Sequence, residues 1–162
     1  MNKKVCIIAL SWGDSYKWYH GDSNLALAQR SKILATKYQV HVIAQWEIAD
    51  HLKGFYWEQR CRGIGIPEWK SRIDTYFVLE QAKEMMSIHG CTHAILVAHE
   101  VHMPRVKLVA QKLNIAIEEH DTVFEKEIPY DKNSTQWHTV NERVARPYEY
   151  LATRWYRFIG KI

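Results

Sequence analysis

Two short and continuous apolar runs constrain the fold of this chain more than any other feature. They cover residues 5–10 (VCIIAL) and 94–98 (AILVA), and polar residues follow each run at once. Short continuous apolar runs are typical of strands that are buried on both faces, as in a parallel sheet. Parallel strands need long crossover connections, usually helices, so the two runs predict an α/β fold.

Helical spacing of apolar residues separates the predicted strands. It occurs in four segments, residues 25–35, 71–89, 106–113 and 143–159. Two further short strands are predicted at residues 39–44 and 114–117. This alternation of strands and helices predicts a single three-layer α/β/α Rossmann-like domain over residues 1–162, with a mostly parallel sheet.

Three local patterns give further expectations. Ser23 and Asn24 stand where an N-cap of the first helix is expected. Residues 122–139 are polar and contain Pro129, which is typical of a surface loop. In the last helix, apolar and aromatic residues are spaced for burial, namely Tyr148, Leu151, Ala152, Trp155, Tyr156 and Ile159.

Charge and cysteine content narrow the class of protein. The chain has 22 Lys and Arg against 18 Asp and Glu, a formal net charge of +4, and no block of like charges that would indicate nucleic-acid binding. Three widely spaced cysteines fit a reducing compartment better than a disulfide framework. The longest apolar run near the N-terminus is too short for a signal peptide or a membrane span. We therefore expect a soluble cytoplasmic protein that has no membrane segment and does not bind nucleic acid.

A cluster of polar residues directly follows the run at residues 94–98. It comprises His99, Glu100, His102 and Arg105. Ligands of open α/β sheets bind where loops leave the carboxyl ends of the strands. We predict that Arg105, at the opening of a helix, binds a phosphate or carboxylate. His102 and Glu100 are the predicted acid–base groups.

Other interpretations of this cluster remain open. Arg105 could form an ion pair with Glu149 or Glu100, and His102 could only cap the helix. His99 and His102, with Glu100 between them, could contribute to a metal site, but their spacing alone does not define one and no dedicated metal site is predicted.

The turn after the first run should face the same crevice, because it also leaves the carboxyl end of a strand. Ser11, Gly13 and Asp14 lie in this turn and are predicted to position a ribose or phosphate. An ordinary turn held by a side-chain hydrogen bond of the aspartate is the alternative.

The polar cluster also resembles a known family. Leu96-Val97-Ala98 followed by His102-Met103-Pro104-Arg105 is similar to the strand and helix opening of the YdcF-like family, which includes the envelope proteins ElyC and SanA. Further similarity lies in Ser71-x-x-Asp74-Thr75 and in the closing Tyr148-Glu149-Tyr150-Leu151-Ala152, and Arg30 resembles an arginine of the family's first helix. The chain departs from the family at both glycine-rich turns, with Trp12-Gly13-Asp14 and Ala44-Gln45-Trp46-Glu47 in their places.

The resemblance implies a Rossmann-like fold, and it adds Arg30, Thr75 and Glu149 to the predicted ligand-binding residues. Arg30 and Glu149 could equally form an ion pair between helices. Because one member of the family binds S-adenosylmethionine, that molecule is a candidate cofactor. The resemblance does not predict a reaction, because the chemistry of the family is itself poorly defined.

The sequence alone is therefore compatible with three functions. The first is binding of a phosphate-bearing or nucleotide-like small molecule at the strand ends. The second is a hydrolase or transferase acting on a phosphorylated or nucleoside substrate. The third is a protein-interaction domain, including self-association, that uses the aromatic-rich residues 46–69.

Overall fold

A computed structural model describes residues 3–13, 20–53, 74–118 and 128–162 of the chain, and the backbone of residues 61–64. Its elements alternate along the chain. The strands are β1 (Val5–Ala9), β2 (His41–Gln45), β3 (Cys61–Ile64) and β4 (His93–Val97). The helices are α1 (Asp22–Tyr38), α2 (Trp46–His51), α3 (Thr75–Ile88), α4 (Met103–Lys112) and α5 (Glu142–Phe158).

The strands form a parallel sheet in the order β3-β2-β1-β4. The three strands β2, β1 and β4 make up its main body, and the short β3 pairs with the outer edge of β2. Ile7 of β1 pairs with Val42 of β2 on one side and with Ile95 of β4 on the other. Mixed α/β architecture with a parallel sheet is therefore confirmed.

Alternate residues of β1 belong to two different clusters of buried residues. Cys6 and Ile8 pack with residues of α3 and α4, whereas Ile7 and Ala9 pack with residues of α1 and α2. Successive side chains of a strand point to opposite faces of a sheet, so both faces of β1 are covered. This double coverage is the physical reason why residues 5–10 form a continuous apolar run.

The last helix contributes to both clusters. Ala145 packs with the cluster of α1 and α2, and Tyr156 packs with the cluster of α3 and α4. However, Leu151, Trp155 and Ile159 are exposed, so the prediction that they are buried was wrong. The helical spacing was recognised correctly, but that spacing does not tell which side of a helix faces the core.

Three other local predictions also differ from the structure. Helix α1 is capped by Gly21 without a side-chain hydrogen bond, so Ser23 and Asn24 are not its N-cap. Residues 114–117 form only an isolated parallel bridge, between Ile117 and Ala94. Within the predicted surface loop at residues 122–139, Ile128, Asp131 and Thr139 are buried. Among the described residues, no helix has both the length and the apolar character needed to cross a bilayer.

Candidate functional site

The candidate site lies at the carboxyl ends of β1 and β4, which are neighbours in the sheet. From β1 the chain continues to β2 on one side, whereas β4 enters the sheet on the other side of β1. Connections that leave in opposite directions open a crevice at the strand ends, which is where open α/β sheets bind ligands. The turn at residues 10–13 and the polar cluster at residues 98–102 meet there, and Leu10 N–H still donates to the Val97 carbonyl at 2.9 Å.

Asn24 holds the turn after β1. Its side-chain oxygen accepts from the backbone N–H of Trp12 at 2.9 Å, and its amide nitrogen donates to the carbonyls of Gly13 (3.0 Å) and His20 (2.7 Å). Asn24 is fully buried, so these bonds satisfy backbone groups that water does not reach. The same residue thus ties the end of β1 to the first turn of α1.

Three aromatic rings pack together at this end of the sheet. Trp12 stacks on His99 with ring centroids 4.9 Å apart, and His99 contacts the ring of Tyr130 at 4.6 Å. His99 is fully buried, and its Nδ1 accepts from the backbone N–H of Val101 at 3.3 Å. Burial, together with the nearby His102, lowers the pKa of His99 to about 4. His99 is therefore neutral at physiological pH.

A buried ion cluster lies next to these rings. Arg105 donates to both carboxylate oxygens of Glu149, from Nε at 2.8 Å and from a terminal nitrogen at 2.7 Å. His102 Nδ1 lies 3.0 Å from Glu149 Oε1 and 3.1 Å from that same terminal nitrogen of Arg105. All three residues are at most 8% exposed. A guanidinium and a carboxylate paired in this two-point geometry compensate each other's burial.

The ion cluster fixes the charge of Glu149. Burial alone would raise the pKa of this carboxyl, but hydrogen bonds with His102 and Arg105, together with the positive charge of Arg105, lower it to about 2. Burial and the charge of Arg105 lower the pKa of His102, whereas the negative charge of Glu149 raises it by less. At neutral pH the cluster therefore contains one cation, one anion and a neutral imidazole.

Thr75 extends the cluster towards α3. Its hydroxyl lies 3.4 Å from His102 Nε2, on the opposite side of the ring from Glu149. A neutral His102 has one N–H, so each tautomer serves different neighbours. With the proton on Nδ1, His102 donates to Glu149 and its Nε2 faces Thr75 as an acceptor. With the proton on Nε2, Nδ1 accepts from Arg105 instead.

The segment at residues 128–139 closes over the turn after β1. A side chain at Gly13 would collide with Thr139 Oγ1 at 2.8 Å and with Ser134 Oγ at 2.9 Å. Gly13 also has a φ of +79°, a conformation that favours glycine. Ser23 Oγ donates to the Pro129 carbonyl at 2.5 Å, which fixes the other end of the segment on α1. The segment at residues 128–139 is thus packed on the turn after β1 and on the start of α1.

Buried polar atoms without hydrogen-bond partners collect at this edge. Within the described part of the chain they include Trp12 Nε1, Tyr130 Oη and Asp131 Oδ2. Trp12 is only 3% exposed. Burial, with the nearby Glu142 and Glu100, raises the pKa of Tyr130 to about 12, so its hydroxyl stays protonated. Trp12 Nε1 and Tyr130 Oη are therefore two hydrogen-bond donors that have no acceptor in the described part of the chain, an arrangement that is rare in folded proteins.

The structure places the predicted residues as follows. Thr75, His102, Arg105 and Glu149 lie together in the ion cluster, and Gly13 lies in the neighbouring turn. Ser11 borders that turn, where its backbone N–H donates to Gln45 at 3.2 Å. Asp14 lies outside the described residues.

The contacts of Arg105 and His102 distinguish the interpretations that the sequence left open for these two residues. Glu149 binds Arg105, as one alternative for Arg105 proposed, while Arg30 is a half-buried residue of α1. Glu149, and not Glu100, is the carboxylate beside His102; Glu100 instead lies 3.7 Å from Arg146. Sequence neighbours are a poor guide here, because the partner of His102 comes from a helix 47 residues further along the chain.

Asn24 and Tyr130 are site residues that the sequence reasoning missed. Asn24 carried the right signal, a side chain that bonds to backbone, but it was assigned to a helix cap. Tyr130 stood in a polar segment, where a lone aromatic residue between Pro129 and Asp131 was the only hint of contact with the core.

No three His, Cys, Asp or Glu side chains are grouped to hold a metal ion within residues 3–13, 20–53, 74–118 and 128–162. The chain matches no family model, no curated protein and no solved structure.

Proposed function

We propose that this chain binds a small phosphate-bearing or nucleotide-like molecule at the carboxyl ends of β1 and β4. The observation that carries the proposal is the pair of buried donors, Trp12 Nε1 and Tyr130 Oη, which have no acceptor among the described residues. Leaving a buried donor unpaired costs about 1–3 kcal/mol, and phosphate or ribose oxygens would remove this cost. The polar cover at residues 128–139 would then enclose the ligand.

The sheet order supports the same proposal. Order β3-β2-β1-β4 is the order of one half of a Rossmann fold with the next strand added, and both faces of β1 are covered. We propose on this basis a single three-layer Rossmann-like domain related to the YdcF-like family. S-adenosylmethionine is one nucleotide-like candidate ligand, and a cytoplasmic location stays part of the proposal as the sequence predicted it.

Arg105, which the sequence predicted to bind the anion, is a positioning residue in this proposal. Its bonds to Glu149 already use Nε and one terminal nitrogen, so an incoming anion would compete with a buried carboxylate. We expect Arg105 and Glu149 to position His102 and the α4 N-terminus, while the ligand contacts Trp12 and Tyr130.

The test compares thermal shifts with a panel of nucleotides, S-adenosylmethionine and inorganic phosphate. Trp12→Phe removes the N–H and keeps an aromatic ring, so we expect about fivefold weaker binding, the value of one hydrogen bond of about 1 kcal/mol. Trp155→Phe is the matched control, because Trp155 is exposed on α5. If no compound in the panel stabilises the wild type, or if Trp12→Phe binds as tightly as Trp155→Phe, the proposal fails.

A second candidate function has its own observation. Thr75, His102 and Glu149 form a hydroxyl–imidazole–carboxylate series with distances of 3.4 and 3.0 Å. In a hydrolase or transferase of phosphorylated or nucleoside substrates, Thr75 would attack the substrate and pass its proton to His102 Nε2. Glu149 would stabilise the imidazolium, and His102 would then protonate the leaving group.

This candidate is tested by turnover rather than by binding. Thr75→Ser keeps the hydroxyl and should retain activity towards phosphomonoesters and nucleotides, whereas Thr75→Val has nearly the same shape without a hydroxyl and should lose it. Equal turnover in the Ser and Val variants would rule out Thr75 as the nucleophile.

A further inference from the structure

The outward side of α5 is an exposed apolar surface. The helix faces the rest of the molecule through Ala145, Glu149 and Tyr156, which are buried. On the other side, Phe158 is 82% exposed, Leu151 63% and Trp155 58%. We call Leu151, Trp155, Phe158 and the 41% exposed Ile159 the apolar stripe. Large apolar residues exposed together mark an interaction surface more often than isolated ones do.

Helical spacing makes these residues contiguous. Leu151, Trp155 and Phe158 stand at positions i, i+4 and i+7, which lie on one side of an α-helix. The rings of Trp155 and Phe158 are in contact, with centroids 5.6 Å apart. The stripe is therefore a single surface and not a set of separate side chains.

A row of arginines runs beside the apolar stripe. Arg143, Arg154 and Arg157 are exposed, and Arg154 donates to the hydroxyl of Tyr150, which lies in the same row, at 3.0 Å. The two acidic residues of α5 do not neutralise this row. Glu149 is buried against Arg105, and Glu142 pairs with a fourth arginine, Arg146.

We propose that α5 docks the protein on an anionic lipid surface, lying in the interface without crossing it. An amphipathic helix with arginines beside Trp, Phe and Leu is typical of helices that lie at the headgroup level. The aromatic rings would enter the acyl boundary, and the arginines would contact lipid phosphates. The proposal is independent of ligand binding at the sheet edge, because the stripe lies on the side of α5 opposite Glu149.

Charge argues against an antiparallel second copy of the chain as the occupant. Two copies packed antiparallel on this stripe would bring their arginine rows to the same side of the contact, where like charges repel. An anionic bilayer has the opposite charge and no fixed shape, so it accommodates both the row and the stripe.

The experiment is flotation of the full chain with vesicles of phosphatidylglycerol and phosphatidylcholine in equal parts, and with vesicles of phosphatidylcholine alone. The wild type should float with the anionic vesicles, and raised salt should weaken this binding. Trp155→Ser with Phe158→Ser should reduce binding at least about tenfold through lost apolar burial. Arg154→Gln with Arg157→Gln should reduce it about 30-fold, which corresponds to about 1 kcal/mol for each arginine.

Ile33→Ser with Ile88→Ser is the matched control, because both isoleucines are exposed on other helices. This variant should float like the wild type, and circular dichroism should show that all variants are folded. The proposal is overturned if the wild type does not float, if it floats equally with neutral vesicles, or if both α5 variants float as well as the control. Self-association that is lost with Trp155 and Phe158, without vesicle binding, would also overturn it in favour of a second copy.

Discussion

At the scale of single residues, the pair formed by Arg105 and Glu149 dominates the energetics of the site. Removing one partner of a buried ion pair leaves the other charged and without compensation, which costs about 3–5 kcal/mol. We therefore predict that Arg105→Ala lowers the free energy of unfolding by about that amount, measured by urea denaturation. Arg146→Ala is the control, because Arg146 pairs with Glu142 at the surface, and it should change stability little. Similar losses in the two variants would contradict the burial of the pair.

His99 gives a prediction about pH. Its pKa is lowered to about 4 in the folded state, against about 6.5 when the residue is solvated. As pH falls through this window, the unfolded chain binds a proton that the folded chain refuses, so stability decreases with falling pH. The shift corresponds to a loss on the order of 3 kcal/mol between pH 6.5 and 4.

The measurement is urea unfolding at several pH values across this window. His99→Phe keeps a ring against Trp12 and removes the titrating group, so its stability should fall less steeply than that of the wild type. An unchanged slope in His99→Phe would show that other groups cause the pH dependence. Glu149 acts in a lower window, since its stabilising charge is lost only as pH falls from about 4.5 to about 2.

At the scale of elements, the contact between the β1 turn and the segment at residues 128–139 can be isolated with two glycines. Gly13 and Gly160 have nearly the same φ, +79° and +73°, so alanine is strained at both. A Cβ at Gly13 would also collide with Thr139 and Ser134, whereas a Cβ at Gly160 would meet nothing within 4 Å.

We predict that Gly13→Ala destabilises the protein more than Gly160→Ala does. The cost of the positive φ is about 1 kcal/mol in each variant, and crowding should add about 1–3 kcal/mol at Gly13 alone. Thermal unfolding of the two variants gives the difference directly. Equal melting temperatures of the two variants would mean that residues 128–139 do not pack closely against Gly13.

An element could be predicted from the sequence where the contacts that stabilise it leave a pattern in its own residues. Strands β1 and β4 were predictable, because burial on both faces requires a continuous apolar run. Strand β3 was missed, because its four residues, CRGI, have no apolar run or alternation. The exposure of Leu151 and Trp155 was also missed, because an apolar face looks the same in sequence whether it packs on the core or on something outside the chain.

The candidate site shows the same limit. His102 and Arg105 were named from the residues and Thr75 and Glu149 from the family resemblance, but the carboxylate beside His102 was expected to be Glu100 or Asp14. Local sequence can place a residue at the end of a strand, whereas pairing across 47 residues depends on how α5 packs against α4. Asn24 and Tyr130 were missed for the same reason, because their contacts form only when α1 and residues 128–139 pack at the end of β1.

At the scale of the whole molecule, β1 is the structural centre. It is hydrogen-bonded to β2 and to β4, and its residues supply both clusters of buried side chains. Its backbone amides are therefore enclosed on every side. To expose the amides of β1, the chain must separate β1 from its neighbouring strands and from the helices that pack on both faces of the sheet.

This position predicts the pattern of native-state hydrogen exchange. Amides of Ile7 and Ile8 should exchange only through global unfolding, so their opening free energy should equal the value from urea denaturation. Amides of β3 should open at lower free energy because, among the described strands, β3 lies at the edge of the sheet and pairs only with β2. The comparison is made by following exchange at low urea concentrations. If Ile7 exchanged through an opening well below the global free energy, β1 could not be the centre from which both faces of the sheet are stabilised.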